Sequence, residues 1–231
     1  MAEILDFDGL NANGAVQALR AAPDSLIIAG WTGRDVHALE AHIRELEALG
    51  VRRPASTPIF YRVAASLLTH ASCIEVVGAR TSGEAEVVLL NIGGELWLGL
   101  GSDHTDREAE TMGVTLSKQL CAKPIARSVW RYSDVEAHWD RLVLRSHRIN
   151  GGVRTLYQEG PVAALRPPSE LAARYRHAGH ILAADWAMFC GTLAVRGDIC
   201  PADVFEIELD DPLLGRKLGH RYEIRTLPVA G

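Results

Sequence analysis

Acidic residues in this chain are spaced as metal-binding carboxylates would be. In SGEAEVVLLN, residues 82–91, Glu84 and Glu86 alternate with Ala85, Val87 and Leu89. In a strand they share one face with Val88 and Leu90. Both faces then read as apolar, which places the strand inside the protein. Two carboxylates at one end of such a strand repel each other and resist desolvation unless a cation sits between them. A hard divalent ion with oxygen ligands is the simplest compensation, with Mg2+ the commonest choice. The alternative is a strand end that emerges into solvent. A second pair, Glu206 and Glu208 in VFEIELDD, faces away from Phe205, Ile207 and Leu209. That alternation marks a half-exposed strand with a wet acidic side.

GLGSDHTDREAE, residues 99–110, concentrates further charge after an apolar run. Thr105 as N-cap and Glu108 three residues on fit a capping box. Asp106 and Glu108 then sit at the positive end of the helix dipole. Asp103 precedes the cap, at a strand-to-helix junction where ligands collect. Arg107 is a cation in a first helical turn, an anomaly that a bound anion would explain. Gly99 and Gly101 lack the third glycine of a dinucleotide loop. On an expected upstream helix, His42 and Glu45 are i and i+3, a spacing that lets a base and its orienter hydrogen-bond. His37 and Glu40 repeat it, and on spacing alone a solvated amphipathic helix is the better explanation of both pairs. No G-x-S-x-G is present, and Cys190 in MFCGT reads as a small buried hydrophobe.

The elements that must carry these residues are mostly short strands. DSLIIAG is one; RDVHALEAHIRELEALG follows with Val36, Leu39, Ile43, Leu46 and Leu49 at helical spacing and Gly50 as a stop. Beyond the proline-marked VRRPASTP come IEVVGA, EAEVVLLN, ELWLGLG, PIARSVW, RLVLRSHRI, TLYQEG, MFCGTLAV, VFEIELDD and YEIRTLP. Helical patterns interrupt near 105–119 and 168–182. Without βαβ alternation this is a strand-rich α+β fold or β-roll. We expect one domain over residues 1–231, with 1–55 as an N-terminal strand and helix lid segment and 56–231 as the β-roll core.

The chain of 231 residues is 48% hydrophobic and 23% charged, ordinary globular values. A net charge of −5 gives no basic excess to neutralise phosphates, which argues against a nucleic-acid partner. Cys73, Cys121, Cys190 and Cys200 form no C-x-x-C pair. MAEILDFDG lacks the basic and apolar regions of a signal peptide. The apolar window HILAADWAMFCGTLAV is broken by Asp185 and is too short to span a bilayer. A cytoplasmic protein without membrane partner is expected.

In their order these pieces resemble the fumarylacetoacetate hydrolase superfamily, in an uncharacterised bacterial branch of it. The resemblance rests on HIRE (His42, Glu45), GEAE (Glu84, Glu86), SDHTDR (Asp103, Arg107), LSKQ (Lys118), YQEG (Gln158) and FCGTL (Gly191, Thr192), in register from about residue 33 onward. It implies a mixed β-roll and, commonly, a homodimer. It implies that Glu84, Glu86 and Asp103 hold Mg2+ or Mn2+. Arg107 and Lys118 would bind substrate oxyanions, and Gln158 and Thr192 would add hydrogen bonds. His42, oriented by Glu45, would activate water or move a proton as the helix closes. The implied reaction is hydrolysis of a C–C bond in a small oxo-acid, of acylpyruvate or β-diketo acid type, through a metal-bound enolate. Decarboxylase, isomerase or hydratase chemistry at the same site is the alternative, as is a non-catalytic small-molecule binder. Departures are a short span from Glu86 to Asp103, Glu110 in place of a glutamine, Gly-Thr-Leu in place of Gly-Thr-Pro, and the competing His37/Glu40 pair. His104 is given no role by spacing or resemblance.

Overall fold

The computed structural model describes residues 4–48, 53–182 and 184–230. Eight strands form the larger sheet: β1 (Leu5–Leu10), β2 (Val16–Ala21), β3 (Ser25–Gly30), β4 (Ile59–Val63), β8 (Ala85–Ile92), β9 (Glu95–Ser102), β12 (Ser128–Arg131) and β15 (Trp186–Thr192). Their order is β2–β1–β12–β9–β8–β15–β3–β4, parallel at β1/β12 and β15/β3 and antiparallel elsewhere. Five more, β6 (Cys73–Val77), β13 (Val143–Asn150), β14 (Val153–Pro161), β16 (Val204–Asp211) and β17 (Arg216–Leu227), pair as β14–β13–β16–β17–β6. Two-residue bridges join β5 (Leu68–Thr69) to β11 (Lys123–Pro124) and β7 (Thr81–Ser82) to β10 (Thr105–Asp106). The helices are α1 (Val36–Ala48), α2 (Arg107–Glu110), α3 (Val114–Gln119) and α4 (Pro168–His177). This is the strand-rich α+β fold expected.

Coverage of both faces explains the apolar run Val87–Leu90 within β8. Ala85, Val87 and Leu89 join one core cluster, with Leu98, Trp130, Met188, Phe205 and Tyr222. Val88, Leu90 and Ile92 join another, with Phe7, Leu26, Trp97 and Phe189. Each such side chain contributes about 1.5–3 kcal/mol by leaving water. With both faces covered, β8 is held rigidly, and so is whatever its ends present.

The β8–β9 hairpin turns at Gly93–Gly94, where both residues have positive φ, 60° and 88°. That is the geometry of a two-residue type I′ turn, which glycine adopts without penalty. Glu84 stands nine residues before Gly93 and Asp103 nine after Gly94. The hairpin therefore returns Asp103 to Glu84, and the Asp103 amide donates to the Glu84 carbonyl at 2.9 Å. The short span noted above is one tight hairpin.

Residues 1–55 are expected to form a strand and helix segment. β1, β2 and β3 are integral to the larger sheet, which leaves α1 as its helical part. LDFDGL and VQALRA carry little strand signal in their sequence; in β2 only Leu19 and Ala21 are buried, the pattern of an edge strand. Leu49 and Gly50, expected to close the helix, lie outside the described residues. Among the described residues no helix is long and apolar enough to cross a membrane.

Candidate metal centre

One carboxylate oxygen from each of Glu84, Glu86 and Asp103 lies within 4.8 Å of the others. Glu86 is 2% exposed and Asp103 wholly buried. Three acids this close cannot all stay ionised in a dry site without cations. The protein supplies three. Lys118, on α3, bridges Asp103 Oδ2 and Glu84 Oε2, the second at 3.3 Å. Lys123, fully buried on β11, sits 3.0 Å from Asp103 Oδ1 and donates to the His104 carbonyl at 2.6 Å. Arg107 at the start of α2 pairs with Glu84 at 3.0 Å and Glu110 at 3.0 Å, and its Nε donates to Ser82 at 2.7 Å.

These contacts divide the carboxylates. Burial pushes the Asp103 carboxyl up, but Lys118 and Lys123 outweigh it and hold it below the usual range. For Glu86, burial and then the charges of Asp103 and Glu84 push the carboxyl well up. Among the described residues its hydrogen-bond donor is the Gly191 amide, at 2.7 Å. Burial opposes the charge on Lys118, yet Asp103, Glu84 and Glu86 hold its ammonium well above the ordinary lysine range.

A layer of hydrogen bonds beneath the acids fixes their backbones. The β15–β8 ladder is irregular between Phe189 and Thr192, and Gly191 there has φ of 97°. A Cβ at that position would lie 1.8 Å from Thr32 Oγ1, so only glycine allows this approach. Gln158 Oε1 accepts from the Ala85 amide at 3.1 Å and Ser146 at 2.7 Å, while its Nε2 donates to Thr192 at 2.7 Å and the Leu193 carbonyl at 2.6 Å. Those four bonds exhaust an amide side chain. Thr192 in turn donates to the Ala85 carbonyl at 2.8 Å. Tyr222 donates to Ser102 at 2.8 Å, and Ser102 accepts the Glu84 amide at 3.2 Å. His104 contacts Tyr222 at 3.0 Å and Thr81 at 2.9 Å; burial, then Lys123 and Arg107, push its pKa down to about 3. It is a neutral, internally bonded histidine.

Glu84, Glu86, Asp103, Arg107 and Lys118 thus converge, and Gln158 and Thr192 lie directly behind them. Several local readings change. Asp106, not Thr105, caps α2: its carboxylate accepts from the amides of Glu108 and Ala109. Thr105 is paired with Ser82 in β10 and turns its hydroxyl onto the Asp103 carbonyl. The anions that explain Arg107 are Glu84 and Glu110 of the protein itself, so Glu110 adds no unbalanced charge. Gln158, expected to bind substrate, has no hydrogen-bonding group left to offer it. His42 and Glu45 stand on α1, but their side chains lie outside the described residues. In the competing pair, Glu40 is taken by Arg44 and Arg53 on the surface. Lys123 was missed; its only signal is a lysine amid CAKPIA, without charged neighbours.

The sequence profile of a family described as "Protein of unknown function (DUF2848)" matches residues 29–222. No curated protein matches. Among solved structures, a yeast fumarylacetoacetate hydrolase family protein is similar with a TM-score of 0.63 at 18% identity, over 90% of this chain and 96% of the other. A 2-keto-3-deoxy-D-arabinonate dehydratase complexed with magnesium and 2,5-dioxopentanoate is similar with a TM-score of 0.66 at 13% identity, over 89% and 74% of the two chains. At such identities the likeness is one of fold. The chain belongs to the DUF2848 family and has the fold of the fumarylacetoacetate hydrolase-like proteins.

Proposed function

We propose that this protein is a divalent-metal-dependent enzyme acting on a small oxo-acid, with Mg2+ or Mn2+ held by Glu84, Glu86 and Asp103. The carrying observation is the convergence of their oxygens within 4.8 Å. The donor set fits a hard cation. All three groups are carboxylates, and among the described residues Glu86 is buried with the Gly191 amide as its hydrogen-bond donor and no cation in ion-pair contact, although Lys118 favours its charge from nearby. Such an ion supplies Lewis-acid polarisation of adjacent substrate oxygens and offsets developing negative charge.

The protein's own groups complete the reading. Arg107 uses three of its five N–H donors on Ser82, Glu84 and Glu110, which leaves two for a substrate oxyanion. Lys118, the lysine of the cluster with an exposed edge, is the ammonium that would meet an anionic substrate end. Gln158 and Thr192 serve by fixing Ala85 between Glu84 and Glu86. His42, oriented by Glu45, is the general base on α1, which acts as a lid. C–C hydrolysis of an acylpyruvate or β-diketo acid is the first choice of reaction. Hydration or dehydration of a keto-acid is the second, supported by the fold shared with a magnesium-bound keto-acid dehydratase. A homodimer in the cytoplasm belongs to the same proposal.

Thermal unfolding with Mg2+, Mn2+ and EDTA tests the metal. An ion bound only by the native state raises the midpoint, and the rise should vanish in Glu84→Ala/Glu86→Ala. No rise in the native protein, or the same rise in the variant, removes the proposal. A screen of oxo-acids and β-diketones with either ion, followed by loss of enol absorbance, then separates an enzyme from a binder. His42→Ala should abolish turnover and keep the metal-dependent rise; loss in His37→Ala alone would move the base.

A further inference from the structure

The three cations of the cluster are not equally tied. Arg107 is held from three sides, by Ser82, Glu84 and Glu110. Lys123 is wholly buried and anchored on the His104 carbonyl as well as Asp103. Lys118 alone touches two of the three clustered acids, Asp103 and Glu84. Among the described residues it has no partner outside the cluster. Its side chain, 8% exposed, is the only one of these two lysines with any outlet to solvent.

An ammonium lying on Asp103 and Glu84 and a divalent ion held by the same carboxylates compete for the same oxygens. At a few ångströms in a poorly solvated site, their mutual repulsion is large. We propose that the Lys118 ammonium and the divalent ion exchange places on Glu84 and Asp103. Lys118 is thus an internal counter-ion until the ion binds and a free cation afterwards. Lys123 and Arg107 stay where they are and keep Asp103 and Glu84 aimed. Metal binding would then precede binding of an anionic substrate, because only the metal releases the lysine to meet it. The inference rests on the metal reading above and adds an order to it.

Calorimetric titration with Mn2+ is the first test. Lys118→Met should bind Mn2+ at least about tenfold more tightly than the native protein, since a competing charge is gone. Circular dichroism reports whether each variant is folded, and Lys118→Gln replaces Lys118→Met if the latter is not. The second test uses the native chain. Acetylation of Lys118 by acetic anhydride, followed by mass spectrometry, should be faster with Mn2+ than with EDTA. Equal or weaker Mn2+ binding by the Lys118 variants, or acetylation that Mn2+ leaves unchanged or slows, overturns the exchange while leaving the metal reading intact. Absence of Mn2+ binding to the native protein overturns both.

Discussion

Glu84-Ala85-Glu86 at the head of β8 and Glu206-Ile207-Glu208 within β16 are the same pattern put to opposite uses. On β16 burial alternates, with Phe205, Ile207 and Leu209 inward and the acids half-exposed. Their partners are cross-strand cations on the wet face: Arg154 and Arg221 on Glu206 at 2.6 and 2.8 Å, Arg145 and Lys217 on Glu208 at 3.1 and 3.2 Å. β8 is covered on both sides, and Glu86 meets one amide and two other carboxylates. Burial pushes the Glu206 carboxyl up, but Arg154 and Arg221 outweigh it and hold it low, whereas Glu86 is driven high. The difference lies in what covers the strand. An acidic pair in water recruits surface arginines worth little each; one in a core must find internal cations, a proton or a metal.

The largest expected effect divides the two pairs by metal response. At a Mn2+ concentration about a hundredfold above its dissociation constant, the native protein gains about 2.7 kcal/mol. Glu86→Gln should abolish that gain, while Glu206→Gln/Glu208→Gln should keep it whole. A similar loss in both, read by thermal unfolding, would break the distinction.

Next is the layer behind β8. Gln158→Ala strands the Ala85 amide and its other buried partners, and should cost about 2–4 kcal/mol in urea unfolding. A loss under about 1 kcal/mol would mean that water fills the gap and that Gln158 does not hold the acids.

The pH dependence in EDTA should run in opposite senses. Because the folded Glu86 carboxyl binds its proton more tightly than the unfolded one, it makes stability fall as pH rises above the ordinary glutamate value of 4.5. Glu206, lowered in the folded state, contributes stability that is present above 4.5 and lost as pH falls below it. Urea midpoints between about pH 3 and pH 8 check this. Glu86→Gln should flatten the decline on the neutral side and Glu206→Gln the loss on the acid side; the same slope change in both would equate the two sites.

The smallest effect is at the surface. A double-mutant cycle on Arg154 and Glu206 should give a coupling under about 1 kcal/mol that fades with salt. A coupling above about 2 kcal/mol would show that this ladder is not solvated as its exposure indicates.

Much of this contrast is legible from residue order. VFEIELDD marks β16 from end to end, and the apolar run after Glu86 marks a strand covered on both faces. The glycine pair midway between Glu84 and Asp103 closes the hairpin that joins them. Less legible are β1, β2 and the cap of α2. An edge strand with few buried positions carries a weak period, and Thr105 and Asp106 are adjacent residues both able to cap. The choice between them is made by position and by a side-chain bond: α2 begins at Arg107, directly after Asp106, and the Thr105 hydroxyl is donated to the Asp103 carbonyl.

By itself, the sequence determined the strand-rich fold and the Glu84/Glu86 pair, because both follow from alternation; Asp103 is joined to them by the family resemblance, and one local hairpin is what brings it there. Only the tertiary structure decided which cation meets which acid. Lys118 and Lys123 reach Asp103 after a helix and a bridge, Gln158 and Thr192 reach Ala85 from two distant strands, and Arg107 turns onto Glu84. Such partnerships depend on where the chain returns after loops of differing length. Side-chain charge and spacing along the sequence do not encode that return; the packing of two sheets against each other does.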